Sequence, residues 1–126
     1  MKMKKPMRVF VAALAAASIA IAARAADAGH GEKLFVDCAS CHTVGTANDT
    51  VGPGLKGLFG RKAGSVEDYR YSPAMKRSNI TWNAETLDAY LADPQKSVPG
   101  NRMPYSGLPN ASDRADLIAY LQNATK

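Results

Sequence analysis

From residue 29 onward, apolar positions recur at helical spacing in short segments, separated by stretches rich in Gly, Pro and small polar residues. Gly29 to Cys41 reads as a helix with Leu34, Phe35 and Cys38 on one side. Thr43 to Arg61 carries Gly45, Gly52, Pro53, Gly54, Gly57 and Gly60, and reads as loop rather than strand. Ser72-Pro73-Ala74-Met75 predicts a short capped helix, with Ser at the cap and Pro in the first turn. Asn83 predicts a second cap, followed by Leu87, Tyr90 and Leu91 at i, i+3 and i+4 and a stop near Pro94. Val98 to Pro104 is a loop stiffened by prolines. Ser112 is expected to cap the last helix, with Asp113 and Asp116 in its first turns and Leu117, Ile118, Tyr120 and Leu121 as its apolar stripe. The pattern is all-α with long loops. Loops of that length in a small domain usually wrap something.

The chain's beginning follows a different pattern. Lys2, Lys4, Lys5 and Arg8 precede an apolar run from Val9 to Ala23, interrupted only by Ser18, and Ala23-Arg24-Ala25 follows as an A-x-A-like cleavage site. This is the pattern of a secretory signal peptide, and the run is short for a membrane span. The expected organisation is a cleaved leader at 1–25 and one domain at 26–126. The expected destination is an oxidising compartment, most simply a bacterial periplasm, with no stable membrane insertion after cleavage. An uncleaved N-terminal anchor is the competing reading. Three of the five methionines lie in the leader.

This division changes the meaning of the charge. The formal net charge of +5 comes from 16 Lys and Arg against 11 Asp and Glu, but five of the basic residues and none of the acidic ones lie in 1–25. The remaining domain is balanced, so its basic pI gives no support for nucleic-acid binding. About 100 residues make one small domain with a marginal core, and a buried cofactor would supply the missing core.

Both cysteines sit in Cys38-Ala39-Ser40-Cys41-His42. C-x-x-C-H is the attachment signature of a c-type haem. Two thiols three positions apart share one face of a helical turn and can reach the two vinyl groups of one porphyrin. His42, four positions beyond Cys38, projects from the same face and can place a nitrogen on the iron. A zinc site is the bland alternative. It could use only Cys38, Cys41, His42 and His30, since His30 is the only other histidine. A redox C-x-x-C is expected beside a βαβ pattern, and none is visible.

A second axial ligand could come from Met75, Met103 or His30. His30 lies twelve residues before His42, on the same helix or its lead-in. Met75 falls inside a predicted helix, where methionine is more often packing. Met103 lies in the proline-stiffened loop, well placed to close over the far haem face. A soft thioether favours Fe(II), so His/Met ligation raises the reduction potential.

In order along the chain, several further stretches accompany the haem motif. They are Gly31 to Phe35, Gly52-Pro53-Gly54-Leu55, Gly57 to Arg61, Tyr69 to Ser72, Trp82, the Val98 to Met103 loop and Asp116 to Leu121. Together they closely resemble the class I cytochromes c, particularly the mitochondrial-like bacterial soluble ones, across nearly all of Gly29 to Thr125. The resemblance implies a small all-α domain of three main helices plus short helices and long loops, wrapped around one covalently attached haem c. It implies Cys38 and Cys41 as thioether attachments and His42 and Met103 as axial ligands. Pro53 matches the residue whose carbonyl accepts the His42 ring N–H, a bond that fixes the tautomer. Arg61, Tyr71 and Trp82 match groups that hydrogen-bond a buried propionate, and Tyr90 matches a tyrosine directed at the Met103 sulfur. Gly31 and Phe35 match a contact of the first helix with Leu117 and Tyr120 of the last. Read without the resemblance, Tyr71, Trp82 and Tyr90 could be aromatic packing with a polar tip, Arg61 could be solvated, and Pro53 could end a turn.

The chain also departs from the mitochondrial pattern. Phe35 and Cys38 are separated by two residues instead of three, and the loop from His42 to Pro53 is one residue shorter. Asn101 stands where threonine is usual, and Met75 stands where an asparagine lies near the haem. Lys33, Lys96 and Arg102 keep positive charge near the expected haem edge, while Asp37, Thr50 and Gln95 replace other lysines.

The expected function is that of a monomeric periplasmic one-electron carrier, not an enzyme. Its expected partners are redox proteins: a quinol–cytochrome c reductase or periplasmic dehydrogenase as donor, and a terminal oxidase, photosynthetic reaction centre or periplasmic reductase as acceptor. No nucleic-acid partner is expected. A small haem enzyme or gas sensor with a labile sixth ligand, and a zinc-stabilised binding module, are the alternatives.

Overall fold

A computed structural model describes residues 1–6, 9–18, 24–48 and 51–126. The end of the apolar leader run, Arg8 and Thr50 fall outside the described residues. Among those described, six helices and no strand form, joined by one isolated antiparallel bridge between Lys62 and Thr81. No described helix is long and apolar enough to cross a membrane. The helices are α1 (Ala28–Leu34), α2 (Val36–Ala39), α3 (Pro73–Arg77), α4 (Ala84–Ala92), α5 (Pro94–Ser97) and α6 (Ala111–Ala124). The three longest are α1, α4 and α6, as the resemblance implies.

Local chemistry sets most of the helix starts. Asp27 accepts the His30 N–H at the start of α1, and Ser72 accepts the Met75 N–H ahead of Pro73. Asn83 and Thr86 form a reciprocal capping box on α4. The helix expected over Gly29–Cys41 is broken at Phe35, where the Cys38 N–H turns back three residues to the Phe35 carbonyl. The stop expected at Pro94 is also a start. Asp93 caps α5, and Pro94 occupies its first turn.

The beginning of α6 corrects the sequence reading. Its cap is Asn110, which accepts the Asp113 N–H, and Ser112 already lies inside the helix. Asp116 is not a dipole-facing surface residue. It is fully buried where α1 crosses α6, and it accepts the Asp27 N–H at 2.7 Å and His30 Nδ1 at 2.8 Å. The Arg24 guanidinium reaches the same carboxylate at 3.2 Å and also donates to Ser112.

α6 packs against both α1 and α4. Phe35 meets Tyr120 with ring centroids 5.5 Å apart. A Cβ on Gly31 would lie 2.0 Å from the Asp116 carbonyl oxygen, so the crossing admits only glycine there. Leu117, Ile118 and Leu121 of α6 join Leu87 and Leu91 of α4 in the core. Within this frame, residues of 51–61 and of 101–104 line a common cavity.

Candidate haem site

Cys38, Cys41, His42 and Met103 all line a single cavity of about 360 Å³. Leu58, Leu87, Leu91, Leu117 and Leu121 contribute apolar wall, and the exposed Val51 and Arg102 carry the cavity to the surface. Cys38 and Cys41 are half-buried and are not joined to each other. Burial first, then the neighbouring Asp37 and Cys41, pushes the Cys38 thiol up to about 11.

Three connected features orient the His42 imidazole. The motif leaves α2 in a helical turn, with the His42 N–H bonded to the Cys38 carbonyl at 2.9 Å. The Gly52 N–H bonds the Cys41 carbonyl at 2.9 Å, which brings Gly52 against the motif. Gly52 is required for that approach, because a Cβ there would sit 2.7 Å from His42 Cε1. The next residue, Pro53, then places its carbonyl 2.8 Å from His42 Nδ1. A carbonyl only accepts, so Nδ1 carries the proton and Nε2 is left with a lone pair.

On the Met103 side, the Tyr90 hydroxyl donates to Met103 Sδ at 3.9 Å. Burial pushes this hydroxyl up to about 12, so it stays protonated and keeps its donor at neutral pH. Trp82 packs on Tyr90 with centroids 5.0 Å apart.

Arg61, Tyr71 and Trp82 line the same cavity. Arg61 donates to the carbonyls of Gly54 at 3.0 Å and Lys56 at 3.2 Å, and burial lowers its pKa. The Tyr71 hydroxyl accepts the Val66 N–H at 3.3 Å, and burial raises its pKa. The nine residues expected to hold or contact the haem all line this one cavity, and Met75 lines it as well. His30 does not; its Nδ1 is committed to Asp116. The zinc reading loses its fourth ligand with it. Among the described residues, the ligand-type side chains that cluster are His30, Asp113 and Asp116, not Cys38, Cys41, His42 and His30.

In the sequence Asn101 stands out only as a departure from threonine. Its side chain proves to be buried and bonded to the backbone on both sides of it. No sequence signal marks that role, because it depends on how the loop folds back on α5.

The donor set suits a covalently attached haem: two thiols for the vinyl groups, an imidazole with a free Nε2, a thioether, and a largely apolar wall. An all-helical domain with a C-x-x-C-H motif opening into such a cavity is a c-type haem protein. Comparison with known proteins narrows the class. The family model described as Cytochrome c matches residues 28–125. A cytochrome c of Gibberella zeae is 50% identical over 102 residues, covering 79% of this chain and 96% of the relative. A cytochrome c2 of Rhodoblastus acidophilus is 47% identical over 98 residues, covering 77% and 92%. The solved structure of cytochrome cH from Methylobacterium extorquens superposes with a TM-score of 0.72 at 43% identity, covering 76% of this chain and 97% of that one. The chain belongs to the cytochrome c family: it is an electron carrier rather than an enzyme, and it carries one covalent haem c.

Proposed function

We propose that the chain is a periplasmic one-electron carrier whose haem is held through Cys38 and Cys41 and ligated by His42 Nε2 and Met103 Sδ. The observation that carries this reading is the His42 Nδ1–Pro53 carbonyl bond in the cavity that Met103 also lines. When bound, the haem supplies a one-electron Fe(III)/Fe(II) couple. The protein's contribution would be to hold the His42 and Met103 donors with little freedom to move. Pro53 fixes the His42 tautomer, and the Tyr90 hydroxyl polarises the Met103 sulfur. Leucines exclude water from the wall. Arg61, Tyr71 and Trp82 offer a cation and polar groups for a propionate, which would otherwise be costly to bury.

Export through a leader at 1–25 supports a periplasmic location. The partners are the membrane reductases, oxidases or reaction centres and the periplasmic dehydrogenases or reductases that exchange single electrons. They meet the carrier in small transient contacts. The carrier works as a monomer.

A reduced-minus-oxidised spectrum with pyridine treatment of the purified protein tests the reading. A c-type spectrum that survives acid–acetone extraction is expected, together with a far-red band that is lost in Met103→Ala. Pigment that extracts freely would refute covalent attachment. A far-red band that persists in Met103→Ala would refute the ligand assignment. N-terminal sequencing of the exported protein tests cleavage after Ala25.

A further inference from the structure

We infer that Asn101 is the positioning residue for Met103, and that Asn101 and Gln95 together clamp the ligand loop so that the thioether resists displacement. The inference rests on the reading of Met103 as an iron ligand. Asn101 is 7% exposed and stands two residues before Met103. Its Nδ2 donates to the Pro94 carbonyl at 2.9 Å and the Val98 carbonyl at 3.0 Å, and its Oδ1 accepts the Met103 N–H at 2.9 Å. Both amide hydrogens are therefore committed to the loop and to α5, and the acceptor holds the backbone of the methionine itself.

Gln95 completes the clamp from the solvent side. Its Nε2 donates to the Asn101 carbonyl at 3.0 Å, and its Oε1 accepts the Gly100 N–H at 3.3 Å. The Asn101 N–H closes a turn on Val98 at 3.1 Å, and the Met103 carbonyl accepts the Tyr105 N–H at 2.9 Å. The backbone around Met103 is thus pinned on both sides without any contribution from its sulfur.

The residue type matters. Threonine has one donor hydrogen, so it cannot bond both the Pro94 and Val98 carbonyls while also accepting from Met103. Asn101 does all three. An outside ligand can replace Met103 on the ferric iron only if the loop lets the thioether go. One donor bond breaks and another forms, with no change in electron count. Each clamp bond that opens with the loop opposes that exchange.

The test is an imidazole titration of the ferric holoprotein, followed by loss of the far-red band, with thermal unfolding recorded in parallel. Asn101→Ala should bind imidazole about tenfold to a hundredfold more tightly than the unaltered protein. Asn101→Thr should fall between the two. Gln95→Ala alters an exposed side chain, leaves the fold intact and should give a smaller tightening in the same direction. Asp116→Asn serves as the control, because it weakens the α1–α6 crossing without adding bulk, at a residue that does not line the cavity, and should leave imidazole affinity unchanged.

The clamp is overturned if Asn101→Ala and Gln95→Ala bind imidazole no more tightly than the parent. It is also overturned if Asp116→Asn tightens binding as much as they do, since the effect is then general loosening. Absence of the far-red band from the unaltered protein would sink the ligand reading itself, and the clamp with it. That result is distinguishable from a parent that has the band but variants that behave alike.

Discussion

Gly31→Ala tests the helix crossing on which the rest of the domain is built. An alanine methyl would sit 2.0 Å from the Asp116 carbonyl oxygen, 2.6 Å from its carbon and 2.9 Å from Tyr120 Cβ. Two of these neighbours are backbone, so no side chain can rotate aside. The helices must separate by more than an ångström, which loosens the Phe35–Tyr120 contact and the seat of Leu117. Two effects oppose each other. Replacing glycine in a helix favours folding by about 1 kcal/mol. Overpacking a rigid contact costs about 3 kcal/mol or more. The clash wins, and the variant should lose about 2 kcal/mol. For a domain of this size that is a fall in Tm of roughly 8–16 °C. Thermal and urea unfolding of the holoprotein, followed by circular dichroism, measure it directly. A Gly31→Ala protein that melts at or above the parent temperature would refute the argument, because propensity would then have outweighed the crossing.

Three further outcomes can be checked. In the full chain Asp116 is held down at about 2, from an ordinary 3.8, first by the Asp27 N–H, then by His30 against the opposing effect of burial, with a smaller contribution from Arg24 that is lost when the leader is cleaved. A depressed carboxylate contributes stability that is fully present above about 4 and drains away as pH falls through about 2. Asp116→Asn should therefore flatten the acid limb of a urea-midpoint-against-pH curve, and an unchanged limb would show that another group sets it. The Arg114–Asp88 pair should prove asymmetric. Arg114 is 12% exposed and also donates to the Leu108 and Pro109 carbonyls at 2.9 and 2.8 Å, whereas Asp88 is 48% exposed. Asp88→Ala should cost under about 1 kcal/mol and Arg114→Ala about 1–3 kcal/mol; equal costs in urea unfolding would contradict this. Finally, the balanced charge of residues 26–126 predicts a shallow salt dependence of electron transfer with a physiological partner. A steep fall in stopped-flow rate between low and physiological salt would contradict it.

What was legible in the sequence was mostly local. Ser72 and Asn83 act as caps because their side chains need only reach a backbone N–H three residues on. The cysteine and histidine spacing is itself a helical-turn geometry, so the motif could be read before the fold was known. A stiff loop favours Met103 over Met75 as the second ligand, yet both line the cavity, and spacing alone does not show that. Where the reading failed, two local signals were equally good or the deciding partner was distant. Asn110 and Ser112 are both strong cap types, and propensity does not separate them. Pro94 ends one helix and begins the next because Asp93 turns to cap it. The burial of Asp116 depends on Asp27, 89 positions earlier, and no window along the chain contains both.

That separation bears on how the molecule responds to damage. α1 has seven residues, too few to persist in water without support. What sustains it is α6, at the opposite end of the domain. A protease that nicks the final fourteen-residue helix would therefore release the first helix as well, and clipping would produce wholesale collapse instead of a trimmed but serviceable remnant.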